Sequence, residues 1–122
     1  MISQKLRNRI IKNLLDIHPE KIILFGSYAS GKEDDDSDLD LLVVTDDNFY
    51  PSSYREKMDY YLNVSKNLRE LRKEYPVDLI VHTRPMHEKF IQMDSSFARD
   101  ILNNGIILYE KDNRRLAGSS QG

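Results

Sequence analysis

The 122-residue sequence contains no cysteine and no tryptophan. Without thiols, a disulfide framework, a zinc–thiolate site and a cysteine nucleophile are excluded. Aromatic residues make up 9% of the chain and the net charge is −2. A basic track interleaved with stacking rings is therefore missing, which argues against template-directed polymerisation and direct nucleic-acid binding. Long apolar runs are missing too. The opening stretch, MISQKLRNRIIKNLLDIH, alternates charge with apolar residues. It is expected to be neither a signal peptide nor a membrane span. A reducing cytoplasm, in a prokaryote, is the expected setting.

What remains is 39% hydrophobic and 31% charged, the balance of one globular domain with a modest core. Leu6, Ile10, Leu14 and Ile17 recur at helical spacing and predict a helix from a Ser3 cap to about Ile17. Lys21–Phe25 reads as a strand, broken by Gly26-Ser27. Tyr28–Ser30 fits one helical turn, and 31–37 a loop. Asp38–Val44 reads as a second strand, antiparallel to the first. A long helix capped by Ser52 or Ser53 is predicted next, with an apolar stripe of Tyr54, Met58, Tyr61, Leu62, Ser65, Leu68 and Leu71, fading near Tyr75-Pro76. Val77–His82 is a third strand. Two shorter helical stretches follow, one opening at Arg84-Pro85 and one capped by Ser95 and stopped at Asn104-Gly105. Ile106–Tyr109 closes the pattern as a last strand. The expected fold is a single small α/β (α+β) domain over 1–110, a mixed sheet of about four strands flanked by helices. Residues 111–122 are expected to form a disordered tail.

The informative stretch is LFGSYASGKEDDDSDLDLLVV, residues 24–44. Glu33 to Asp36 fits a solvated loop. Asp38 and Asp40 do not, because they alternate with Leu39 and run into an apolar strand. Residues two apart in a strand share a face, so the two carboxylates stand side by side and repel. A divalent cation relieves that repulsion, and Mg²⁺ is commonly held by one or two carboxylates together with substrate phosphates. Two such ions clamp the attacking and leaving oxygens of a phosphoryl displacement. Gly26 and Ser27 end a strand and start a helical turn, where glycine admits a phosphate to the backbone and N–H groups favour an anion. Asp78, beside the third strand's apolar run, can complete a metal site or take a proton. The plainer alternatives are a charged edge strand for Asp38/Asp40, an ordinary turn for Gly26-Ser27, and a strand cap for Asp78. His18, His82 and His87 lack ligand spacing and read as surface or strand-end residues.

Gly-Ser, ten residues, then Asp-x-Asp, with a later strand-borne Asp78, resembles the DNA polymerase β-like nucleotidyltransferase superfamily. More narrowly, the chain is similar to the minimal nucleotidyltransferases of prokaryotes, over roughly Ile10 to Tyr109. The resemblance implies a nucleoside triphosphate, expected to be ATP, as donor with two Mg²⁺ ions, and release of pyrophosphate. It assigns Asp38, Asp40 and Asp78 to the metals and catalysis, and Gly26 and Ser27 to the β and γ phosphates. Family members often carry an arginine just after Gly-Ser. Here Tyr28 and Ser30 stand there, and Lys32 is the nearest base, so Lys32 is the candidate substitute. Larger relatives add a domain that holds the acceptor, and none is expected here. The acceptor must be brought by a partner, a second copy of the chain, or the substrate itself. Minimal members of the family often pair with a small helical HEPN toxin, and some of these antitoxins add AMP to a tyrosine of the toxin. The competing expectations are an antitoxin that neutralises by binding alone and an enzyme acting on an aminoglycoside-type small molecule.

Overall fold

The computed structural model describes residues 2–111. The chain order is α1 (Gln4–Leu14), β1 (Lys21–Phe25), α2 (Ser27–Ser30), β2 (Leu39–Val44), α3 (Tyr54–Ser65), β3 (Val77–His82), α4 (Arg84–Met93), α5 (Ser96–Asn104) and β4 (Ile106–Glu110), with short 3₁₀ turns after α1 and α3. The four strands form one sheet in the order β3-β2-β1-β4. β1 is antiparallel to both β2 and β4, while β2 and β3 run parallel. The mixed α+β architecture expected from the sequence is the one observed.

Local chemistry explains the helix boundaries. The Ser3, Ser53 and Ser95 hydroxyls accept from Leu6, Glu56 and Ala98 N–H, so each helix starts on a satisfied cap. Thr83 caps α4, and Pro85 sits in its first turn, where a missing N–H costs nothing.

The sheet is covered on both faces. Leu39, Leu41 and Val43 of β2 and Leu79 and Val81 of β3 pack with Ile22 and Leu24 against Leu6, Ile10 and Leu14 of α1 and against Val64, Leu68 and Leu71. On the other face Ile23, Phe25 and Leu42 meet Ile101 of α5, with Ile80 and Phe90 alongside. β2 is thus buried on both sides, which is why it reads as a continuous apolar run after Asp40.

Three expectations need correction. The helix after Ser53 stops at Ser65 and continues as 3₁₀ turns over 66–68 and 71–73. Its buried residues are Val64, Ser65, Leu68 and Leu71, whereas Tyr54 and Leu62 are exposed. The misplaced positions, Tyr54 and Leu62, lie in the α-helical part, while Ser65, Leu68 and Leu71 are buried as expected, so tertiary packing covers mainly the C-terminal part of the stripe. His82 is a strand-end residue, closing β3, but neither it nor His87 is at the surface; both are buried. Lys111 is tied down: its N–H donates to Glu20 O and its ammonium to Asp46 Oδ2. The expected loose tail otherwise falls on 112–122, outside the described residues.

Candidate active site

Strand alternation decides which side chains gather. On the face carrying α4 and α5, the parallel register of β2 and β3 sets Asp40 beside Asp78, Leu42 beside Ile80, and Val44 beside His82. The last two rungs lie under the helices. The first rung, with the two carboxylates, is partly exposed at Asp40 and exposed at Asp78. Phe25 of β1 is opposite Asp40 in the antiparallel register. One end of the sheet therefore carries Asp78, Asp40 and the β1–α2 turn in a row.

Gly26 makes that turn. Its φ is 73° and its ψ −151°, a conformation that side chains disfavour. A Cβ built there would lie 2.0 Å from Asp40 Oδ2. The carboxylate thus rests on the bare glycine backbone, and this contact joins the Gly-Ser turn to the acidic rung. α2 begins at Ser27; the Ala29 and Ser30 N–H groups donate to Gly26 O, so Ser27 and Tyr28 carry the N–H groups without a helical partner. Gly31, at φ 76°, ends it.

The electrostatics fit an acidic cluster without a counter-charge. Burial pushes the Asp40 carboxyl above the ordinary aspartate range, and the neighbouring Asp78 and Asp38 carboxylates push it further. Asp38 is exposed and lies one residue before β2, at the end of the acidic loop. That loop is self-organised rather than part of the cluster. Asp34 Oδ1 accepts from the Asp36 N–H and the Ser37 hydroxyl, and Asp34 N–H donates to Ser37 Oγ. This is the Asx-turn chemistry of a solvated loop.

The structure thus brings Gly26, Asp38, Asp40 and Asp78 together, with Ser27 next to Gly26 in the turn. It does not bring Lys32 to them. Lys32 is exposed beyond the end of α2, its N–H donating to Ser27 O. Among the described residues no three His, Asp or Glu side chains form a ready metal cage. For Mg²⁺ the donor set still fits. Mg²⁺ takes few protein ligands and keeps water and phosphate oxygens for the rest, and the mutual repulsion felt at Asp40 is what such an ion removes.

A second polar cluster escaped the sequence. His82 Nδ1 and His87 Nδ1 are 3.2 Å apart, so one donates and the other accepts. Their rings continue into Phe90, Phe97 and Phe25, each successive pair with centroids 5.0–6.1 Å apart. This aromatic row runs beneath α4 and α5 to the strand end that carries Gly26. No short-range periodicity signals it, because its members come from β1, β3, α4 and α5.

The family model described as "Polymerase beta, Nucleotidyltransferase" matches residues 5–114. A Methanocaldococcus jannaschii protein named "Putative protein adenylyltransferase" is 36% identical over 90 residues, which cover 74% of this chain and 78% of the relative. A second protein of that organism with the same name is 46% identical over 43 residues, 34% of this chain and 43% of its own length. Among solved structures, a toxin–antitoxin complex with AMP-PNP matches with a TM-score of 0.58 at 22% identity, over 94% of this chain and 82% of that one. A variant of the toxin–antitoxin pair MntA-HpeT matches with a TM-score of 0.54 at 18% identity, over 94% and 81%. At those identities the two structures establish a shared fold.

Proposed function

Since the chain belongs to the polymerase beta nucleotidyltransferase family, we propose that it transfers AMP from ATP, with Mg²⁺, to a hydroxyl on a protein partner, in the role of an antitoxin. The tyrosine of a helical HEPN-type toxin is the acceptor we favour. The observation that carries this reading is the open first rung of the sheet, where Asp40 lies beside Asp78 and against the bare backbone of Gly26. The names of the M. jannaschii relatives support adenylyl transfer to protein. The AMP-PNP and toxin–antitoxin structures support an adenine nucleotide and a toxin partner.

In this reading Asp38, Asp40 and Asp78 would hold the metal ions, which neutralise charge on the α phosphate and the leaving pyrophosphate. Gly26 lets the β and γ phosphates approach the main chain, and Ser27 offers its N–H and hydroxyl. Lys32, on its flexible stem, serves the outer end of the triphosphate. The acceptor oxygen bonds to the α phosphorus as the bridging bond to the β phosphate breaks. Pyrophosphate leaves, and Asp78 receives the hydroxyl proton. The work is positioning and charge stabilisation, with no covalent enzyme intermediate. The half-open strand end suits a bulky protein acceptor better than a small one.

The test uses ATP radiolabelled at the α phosphate, Mg²⁺, and the protein encoded beside this one. Label appearing on the neighbour with wild type, and absent with Asp40→Asn, is the expected result. No label, with both proteins forming a stable complex, would replace the enzyme reading by neutralisation through binding alone. The exposed position of Lys32, away from the carboxylates, is what favours that second reading.

A further inference from the structure

Beyond Gly26, on the side away from Asp78, a pocket of about 480 Å³ opens between α2 and α5. Its size is within the range of small-molecule sites, roughly 300–1,000 Å³. Phe25 and the Gly26 backbone line it next to the acidic rung, and Ser30 lines the α2 side. Asp100 and Asn104, one helical turn apart on α5, form the opposite wall. They are already paired, with Asn104 Nδ2 donating to Asp100 Oδ1 at 2.8 Å. That bond leaves a second Asp100 oxygen and the Asn104 carbonyl as acceptors, and one Asn104 N–H as donor. The Ser30 hydroxyl is committed to Ser27 O.

We propose that this pocket holds the nucleobase of the donor triphosphate, and that Asp100 and Asn104 select a base with an exocyclic amino group. The inference rests on the nucleotidyl-transfer reading and names the base subsite of that same site. Three features exclude other occupants. Among the described residues no cation lines the pocket, and the Asp100 carboxylate repels phosphate, so the triphosphate tail stays at Gly26 and Ser27. The attacking hydroxyl must approach in line with, and opposite to, the leaving pyrophosphate. It therefore enters from the Asp78 side, across the sheet end from α5. The nucleoside leaves the α phosphate at an angle to that line, and the pocket adjoins it through Gly26. The paired amide and carboxylate then match the donor–acceptor edge of adenine, where an amino group sits beside a ring nitrogen.

The geometry that holds this wall is specific. Gly105 follows Asn104 directly, and a Cβ there would lie 2.4 Å from Ile101 O and 3.2 Å from Leu24 O. Only glycine lets the end of α5 come this close to β1, so Gly105 sets the distance between the α5 wall and Gly26.

The experiment is calorimetric binding, with Mg²⁺, of ATP, purine riboside triphosphate (which lacks the 6-amino group) and inorganic tripolyphosphate, to wild type and Asp100→Ala. A hydrogen bond to a charged group predicts a preference for ATP over the deaminated analogue of about tenfold or more in wild type, lost in Asp100→Ala. Tripolyphosphate should bind both proteins alike. Equal affinity of wild type for the two nucleotides, or a preference that survives in Asp100→Ala, would overturn the base subsite while leaving nucleotidyl transfer standing. Failure of wild type to bind any of the three would overturn both.

Discussion

Gly26 and Asp40 compete for one small volume. The aspartate has it because the glycine has no Cβ. Gly26→Ala must move a carboxylate away from the backbone and hold a side chain at a φ of 73°. The expected result is a loss of about 1–3 kcal/mol of stability, together with loss of nucleotide transfer, read by thermal unfolding and the label assay. Asp40→Asn separates those two readouts. Its carboxyl is raised above the ordinary range by burial and by Asp78 and Asp38. A folded pKa above the unfolded one means the ionised form opposes folding at neutral pH. The amide should therefore raise stability by about 0.5–1 kcal/mol once solvent screening is allowed for, while abolishing transfer. A variant less stable than wild type would contradict this. Asp38 and Asp40 were legible in the sequence because a two-residue period is a local property. The cross-strand contact of Asp40 with Asp78 was not, since it depends on a register between strands far apart in the chain.

At the scale of elements, signals confined to one segment were read correctly. Serine caps, Pro85 and the Gly105 stop all mark real boundaries. The stripe on α3 and the turns after it was read correctly at Ser65, Leu68 and Leu71 and failed at Tyr54 and Leu62, which tertiary packing leaves exposed. The histidine pair failed for a related reason: its members lie five residues apart, across a strand end and a helix start. Burial holds both imidazoles well down, to about 4 from the usual 6.5, with each disfavoured further by nearby cations, His87 and Lys57 for His82 and Lys21 for His87. As pH falls the unfolded chain takes up these protons first. Their contribution to stability is complete above about 6.5 and is lost progressively between 6.5 and 4. Denaturant unfolding across that range should show a fall of a few kcal/mol, and His87→Leu should flatten it. An unchanged slope in that variant would assign the acid sensitivity elsewhere.

For the whole molecule, one sheet face is fully covered by α1, α3 and the turns after it, and the other is covered only up to the first rung. The order of elements and the mixed sheet followed from pattern alone. The strand order β3-β2-β1-β4 did not, because it turns on which edge the crossover selects. Among the described residues no helix is long and apolar enough to cross a membrane. The crossover itself has a temporal consequence. β1 and β2 are joined by a short connection, but β3 reaches β2 only after the chain from Thr45 to Pro76 has been closed. Parallel pairing over such a loop is slow to form. The expected order has Asp40 and Asp78 meeting on the native side of the rate-limiting barrier, with their repulsion felt only there. Removing it with Asp78→Asn should slow unfolding and leave the refolding rate nearly unchanged in stopped-flow chevrons. Faster refolding instead would place the acidic rung in the folding nucleus. With the rung outside the nucleus, the chain completes its chemical centre last and loses it first, so that partly unfolded copies are inert before they are disordered.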